Sequence, residues 1–145
     1  MKDSIFRGDF NGIDILAGLA EIEHVVLEAD VVGTGTGLLA RGGQCSVRNS
    51  VASNFGSGFA AVNTTTFGNG LYIENCVAFG NANGVIAQST STGVAGIKIS
   101  NSTVTAGGKG LVNQGSPAVL LSRGNNTVEG NTFNLDGTIG TYSAQ

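Results

Sequence analysis

The chain repeats itself. Asn49-Ser50-Val51-Ala52-Ser53 returns as Asn75-Cys76-Val77-Ala78-Phe79 and again as Asn101-Ser102-Thr103-Val104-Thr105, each copy 26 residues after the last. Nine residues beyond each Asn stands a glycine followed by apolar residues: Gly58-Phe59-Ala60, Gly84-Val85-Ile86 and Gly110-Leu111-Val112. A fixed period of this length is the mark of a solenoid, in which no single coil buries its apolar face and stacked neighbours do. The frame extends upstream to Glu28 with Gly37-Leu38-Leu39 and to Asp3 with Gly12-Ile13-Asp14. Downstream it reaches Asn125-Asn126-Thr127-Val128, where Asn134-Leu135 replaces the glycine and apolar residue. The coils set out this way are 25, 21, 26, 26 and 24 residues long, so length variation belongs to loops.

Within a coil the apolar residues alternate as in short strands. Leu71 and Ile73, Ile97 and Ile99, and Cys45 and Val47 stand four and two residues before the Asn column and point inward. Phe6, Val31, Ala52, Ala78, Val104 and Val128 follow it by three residues. Ile13, Leu38, Phe59, Val85, Leu111 and Leu135 follow it by ten. Stacked at about 4.8 Å per strand, six such coils make a rod about 29 Å long. The prediction is an all-β, right-handed, single-stranded parallel β-helix of about six coils, one domain over residues 1–145. Leu16 to Glu28 is also compatible with a short amphipathic helix, although Val25-Val26-Leu27 lead straight into the repeat frame.

Asn49, Asn75, Asn101 and Asn125 fall at the bend between two strands. Asn tolerates left-handed backbone there, and its amide both donates and accepts along a stack. The column is therefore predicted to be a structural asparagine ladder.

Composition agrees with a turn-rich solenoid. Gly supplies 24 of 145 residues, charged residues only 12%, and hydrophobic residues 41%, enough for a continuous core. Net charge of −3 gives no basic footprint for nucleic acid or an anionic membrane surface. No apolar run approaches the ~20 residues of a membrane span, so no membrane insertion is expected, and Met1-Lys2-Asp3 opens no secretory leader. Cys45 and Cys76 lack the spacing of a disulfide framework or metal site and read as small buried fillers.

The coils resemble bacterial right-handed β-helix repeat proteins related to the pectin-lyase-like superfamily. The resemblance rests on Asn11-Gly12-Ile13-Asp14-Ile15, Val47-Arg48-Asn49-Ser50-Val51-Ala52, Ile99-Ser100-Asn101-Ser102-Thr103-Val104-Thr105 and Leu120-Leu121-Ser122-Arg123-Gly124-Asn125-Asn126. It likens the chain to the carboxy-terminal portion of such a protein. It implies export to the periplasm, cell surface or medium, and no particular activity.

Enzymes of that superfamily carry carboxylates, Arg or Lys on one outer face, often with bound Ca²⁺. Here the positions eleven after the bend read Asp14, Leu39, Ala60, Ile86, Val112 and Asp136, and those two after it include Val51 and Val77. No acidic residue lies between Asp30 and Glu74 or between Glu74 and Glu129, so the central coils cannot supply a general acid with a carboxylate partner. Asp3, Asp9, Asp14, Glu21, Glu23, Glu28 and Asp30 gather at the amino end, where solvated acids are the plainer reading than a Ca²⁺ site. His24, the one histidine, has Glu23 beside it and no nucleophile in view. Gly33-Thr34-Gly35-Thr36-Gly37 lacks the Lys and Ser/Thr of a phosphate loop and reads as a turn. Thr64-Thr65-Thr66 and Ser89-Thr90-Ser91-Thr92 sit in irregular loops, not in the flat array that ice binding needs.

The sequence therefore points away from catalysis, with no catalytic residues, metal or cofactor assigned. It favours a structural or interaction module whose partners are a second copy or a polysaccharide. Leu39, Ala60, Ile86, Val112, Val51 and Val77 form the candidate interface. A bare strand edge at Asp3 is a second route to association. A degenerate or partial polysaccharide lyase or hydrolase is the alternative.

Overall fold

A computed structural model describes residues 1–8 and 10–143. Its regular structure is strand throughout. In chain order the strands are β1 (Lys2–Arg7), β2 (Ile13–Ile15), β3 (Leu19–Glu28), β4 (Thr34–Ala40), β5 (Gly43–Arg48) and β6 (Val51–Ser53). They continue as β7 (Phe55–Asn63), β8 (Asn69–Glu74), β9 (Val77–Phe79), β10 (Asn83–Ser89), β11 (Ala95–Ser100) and β12 (Thr103–Thr105). The last are β13 (Lys109–Gln114), β14 (Val119–Ser122), β15 (Thr127–Glu129), β16 (Phe133–Asp136) and β17 (Ile139–Thr141). Every pairing between them is parallel and joins one coil to the next. The fold is thus the predicted parallel β-helix. Leu16 to Glu28 contributes strand β3 and no helix.

The rod has three faces. Face 1 is the first half of β3 followed by β5, β8, β11, β14 and β17. Face 2 is β1, the second half of β3, β6, β9, β12 and β15, and face 3 is β2, β4, β7, β10, β13 and β16. Faces 1 and 2 meet at the bend. Asn49, Asn75 and Asn101 hold it with φ of 50°, 52° and 48°, and Asp3 and His24 hold it in the first two coils with φ of 52° each.

The second bend therefore falls at His24, not Glu28. Glu28 pairs with Ser53, four residues past the bend, and Val31 is 52% exposed while Leu27 takes the inward place at 0%. The first two intervals between bends are correspondingly 21 and 25 residues, and the longer connection lies between β3 and β4. Six bends, at 3, 24, 49, 75, 101 and 125, enclose about five turns rather than six, with β15 to β17 running on past the last.

The interior is built from the predicted columns. Cys45, Val47, Leu71, Ile73, Ile97 and Ile99 are 0–2% exposed under face 1, and Leu38, Phe59, Val85 and Leu111 are 0–1% exposed under face 3. Phe55 joins them at 1%. Leu135, the last of its column, is 58% exposed.

The glycine column has a steric cause. A Cβ on Gly37 would stand 2.6 Å from the Gly58 carbonyl oxygen, one on Gly58 2.7 Å from that of Gly84, and one on Gly84 2.9 Å from that of Gly110. Successive coils approach too closely at this corner for any side chain.

Candidate functional site

The asparagines at the bend are all exposed, and among the described residues their one amide-to-amide hydrogen bond joins Asn125 Nδ2 to Asn101 Oδ1 at 2.6 Å. Asn125 Oδ1 also accepts the Asn101 N–H at 3.1 Å, whereas Asn49 Nδ2 reaches down to Glu23 Oε1 at 3.5 Å. Buried bonding along the stack belongs to the next position. Ser50 Oγ accepts the Val25 N–H at 3.1 Å, Ser102 Oγ accepts the Cys76 N–H at 3.1 Å, and Asn126 Oδ1 accepts the Ser102 N–H at 2.9 Å.

The row Leu39, Ala60, Ile86 and Val112 points outward from face 3 in unbroken register. It is nonetheless only 7%, 1%, 7% and 2% exposed and forms a cluster of its own, with Val62 packed against it. Leu39, Ala60 and Ile86 line a trough whose walls include Thr36, Ser57, Arg41 and Gln88. Asp14 and Asp136, which end the row, are held by Arg41 at 2.9 Å and Lys109 at 2.6 Å. The expectation of an open apolar stripe is corrected to this shielded trough. Val51 and Val77 do not back it: they stand on face 2, half-buried.

The acids of the first coils disperse as well. Glu23 pairs with Lys2 at 3.4 Å and Glu28 with Arg7 at 3.0 Å, while Glu74, farther along, lies 3.6 Å from Arg48. His24 Nδ1 lies 3.8 Å from Asp3 and 3.9 Å from Glu23. Asp9 lies outside the described residues. Among the described residues no group of three or more His, Cys, Asp or Glu is placed to hold a metal ion. Gly33 makes a turn with φ of 84°, but from Thr34 the glycine-threonine run is strand β4. Among the described residues no helix is long and apolar enough to cross a membrane.

Face 1 carries the arrangement with the most chemistry. One outward column runs Glu21, Ser46, Tyr72, Lys98 and Leu121, and beside it run Leu19, Gln44, Gly70, Gly96 and Val119. Lys98 Nζ lies 5.7 Å from the Tyr72 ring centre and 5.8 Å from that of Tyr142, within range for cation–π attraction. Gly96 leaves a gap in the neighbouring column, because a Cβ there would meet only the Asn69 carbonyl oxygen, at 3.5 Å.

The gap opens into a hollow of about 250 Å³ whose walls include Tyr72, Lys98, Val94, Val119 and Gln44. Asn69 lines it too, and its buried Oδ1 has no hydrogen-bond partner. A second hollow of about 370 Å³ lies between Tyr72, Arg48, Ser100 and Tyr142. A third of about 230 Å³ lies between Tyr72, Gln44, Glu21 and Leu19. Tyr72, 47% exposed, borders all three.

Tyr72 and Lys98 could have been found from the repeat, since each stands three residues before a bend asparagine. Tyr142 could not, because its approach to Lys98 depends on how the chain folds beyond the last bend. No protein-family model, curated protein or solved structure matches this chain.

Proposed function

We propose that this chain is a non-catalytic interaction module that binds an extended glycan along face 1. The observation that carries this reading is the series of hollows that share Tyr72. A half-exposed phenol ring offers an apolar plane to the C–H face of a sugar. Lys98, Gln44 and Ser46 beside it offer hydrogen bonds to hydroxyls, the usual division of labour in a binding cleft. Several hollows in line across the coils suit a polymer better than a single small ligand. The repeat's resemblance to exported bacterial proteins of the pectin-lyase-like superfamily supports a place outside the cytoplasm, where such polymers occur.

One observation favours the alternative, a degenerate or partial polysaccharide lyase or hydrolase. Glu21 borders the third hollow, with Glu23 two residues along the same strand. Against it, Glu23 is committed to Lys2, and Glu74, the carboxylate that borders the second hollow, lies 3.6 Å from Arg48.

A glycan array followed by titration of the best binder separates the two. Binding that falls about tenfold in Tyr72→Ala, without turnover of uronate polymers, supports the module. Turnover that is lost in Glu21→Gln supports the enzyme. Binding unaffected by Tyr72→Ala refutes the groove.

A further inference from the structure

Face 2 presents two outward columns in continuous register. The first runs Ile5, Val26, Val51, Val77, Thr103 and Thr127, and the second Arg7, Glu28, Ser53, Phe79, Thr105 and Glu129. β-Branched side chains stacked on every coil make a flat ladder. It is open to solvent, with Ile5 at 65%, Val26 at 37% and Phe79 at 50% exposure.

We propose that face 2 is the docking surface for a second copy of this chain, packed face to face with its rod axis antiparallel. A two-fold axis between the third and fourth coils, parallel to the strands, sets each column against itself in reverse order. Val51 then meets Val77 of the second copy, and Ile5 meets Thr127. In the other column Phe79, large and half-exposed, meets Ser53, small and half-buried, and each copy supplies the pocket for the other.

Charge selects this direction. Glu129 is exposed and has no basic partner among the described residues, and in the antiparallel arrangement Arg7 of the second copy, which also holds its own Glu28 at 3.0 Å, stands opposite it. With the rods parallel, Glu129 would face Asn125 and Phe79 would face Asn75, pairing neither the charge nor the volume. This interface uses a face other than the glycan groove, so either proposal stands if the other fails.

The six strands of face 2, at about 4.8 Å apart, span about 24 Å, and three-residue strands are about 10 Å long. That contact is well below the ~800 Å² per partner of a tight complex, so the association is weak and concentration-dependent. Its geometry is read by cross-linking. Ile5→Cys protein is mixed at high concentration with Thr127→Cys protein and treated with a short bismaleimide. The native Cys45 and Cys76 are buried and do not compete.

The expected result is a cross-link between the two variants, with self-linked pairs at least about tenfold fewer, because like positions lie about 24 Å apart along the axis. Phe79→Arg introduced into both proteins lowers the yield by about tenfold with unchanged circular dichroism and melting temperature. Dominant Ile5→Cys self-linking, yields no higher than between denatured chains, or indifference to Phe79→Arg would each overturn the proposal.

Discussion

Asn81 Oδ1 accepts the backbone N–H of Phe55 at 2.9 Å, from a side chain only 1% exposed. Its Nδ2 donates at 2.9 Å to the Ala52 carbonyl of the same neighbouring coil, so one amide staples a corner that sheet bonding leaves open. Asn131 repeats the device two coils on, accepting from Gly107 at 3.0 Å and donating to Val104 at 2.9 Å.

Replacing Asn81 by Leu leaves two buried backbone groups without partners, and urea unfolding is expected to show a loss of about 2–5 kcal/mol. Asn75 is the comparison. It is exposed, its φ is 52°, and glycine adopts that angle freely, so Asn75→Gly should change stability by less than about 0.5 kcal/mol. If Asn75→Gly were as damaging as Asn81→Leu, the exposed column would be the true staple.

These two asparagines mark where the sequence is legible and where it is not. The period, the inward columns and the glycine corner are written in residues that recur at one offset, since each coil must satisfy the same neighbours. The second bend is hidden. Gly37-Leu38 anchors the following strand and draws the frame to Glu28, while four extra residues in the β3–β4 connection move the true bend to His24. Direction is legible, but exposure is not. Alternation correctly turns Leu39, Ala60, Ile86 and Val112 outward, yet their burial depends on rows from other strand positions that wall the trough. Asn81 lies outside the motif that repeats, and nothing in its local sequence separates a buried staple from a turn residue.

Gly84 tests the steric reading of the glycine column. Its φ is not left-handed, so backbone strain is not the issue. An added Cβ would collide with Val104 Cγ1 on one side and stand 2.9 Å from the Gly110 carbonyl oxygen on the other. Val104 is 1% exposed and has nowhere to retreat. Gly84→Ala is expected to cost about 3 kcal/mol, the upper range of overpacking, and to lower the midpoint of urea unfolding. At the exposed Gly18 the case is reversed: an added Cβ would meet nothing within 4 Å, and the obstacle there is its φ of 83°. A Gly84→Ala variant as stable as the parent would mean that the coils separate easily at this corner.

The two cysteines give the fold an alkaline limit. Burial raises both thiols from an ordinary 9.0 to about 11. An acid whose folded pKa lies above its unfolded value binds its proton more tightly in the native state. The resulting stability is fully present below about pH 9 and is lost as pH rises through the folded value of about 11. Urea midpoints measured from pH 8 to 11 should therefore fall, and a Cys45→Ala, Cys76→Ser double variant should show a shallower decline over the same range. The same burial keeps both thiols silent to a maleimide at neutral pH until the chain unfolds, so labelling should track the unfolding transition. Rapid labelling of the native protein would show that the interior opens on its own.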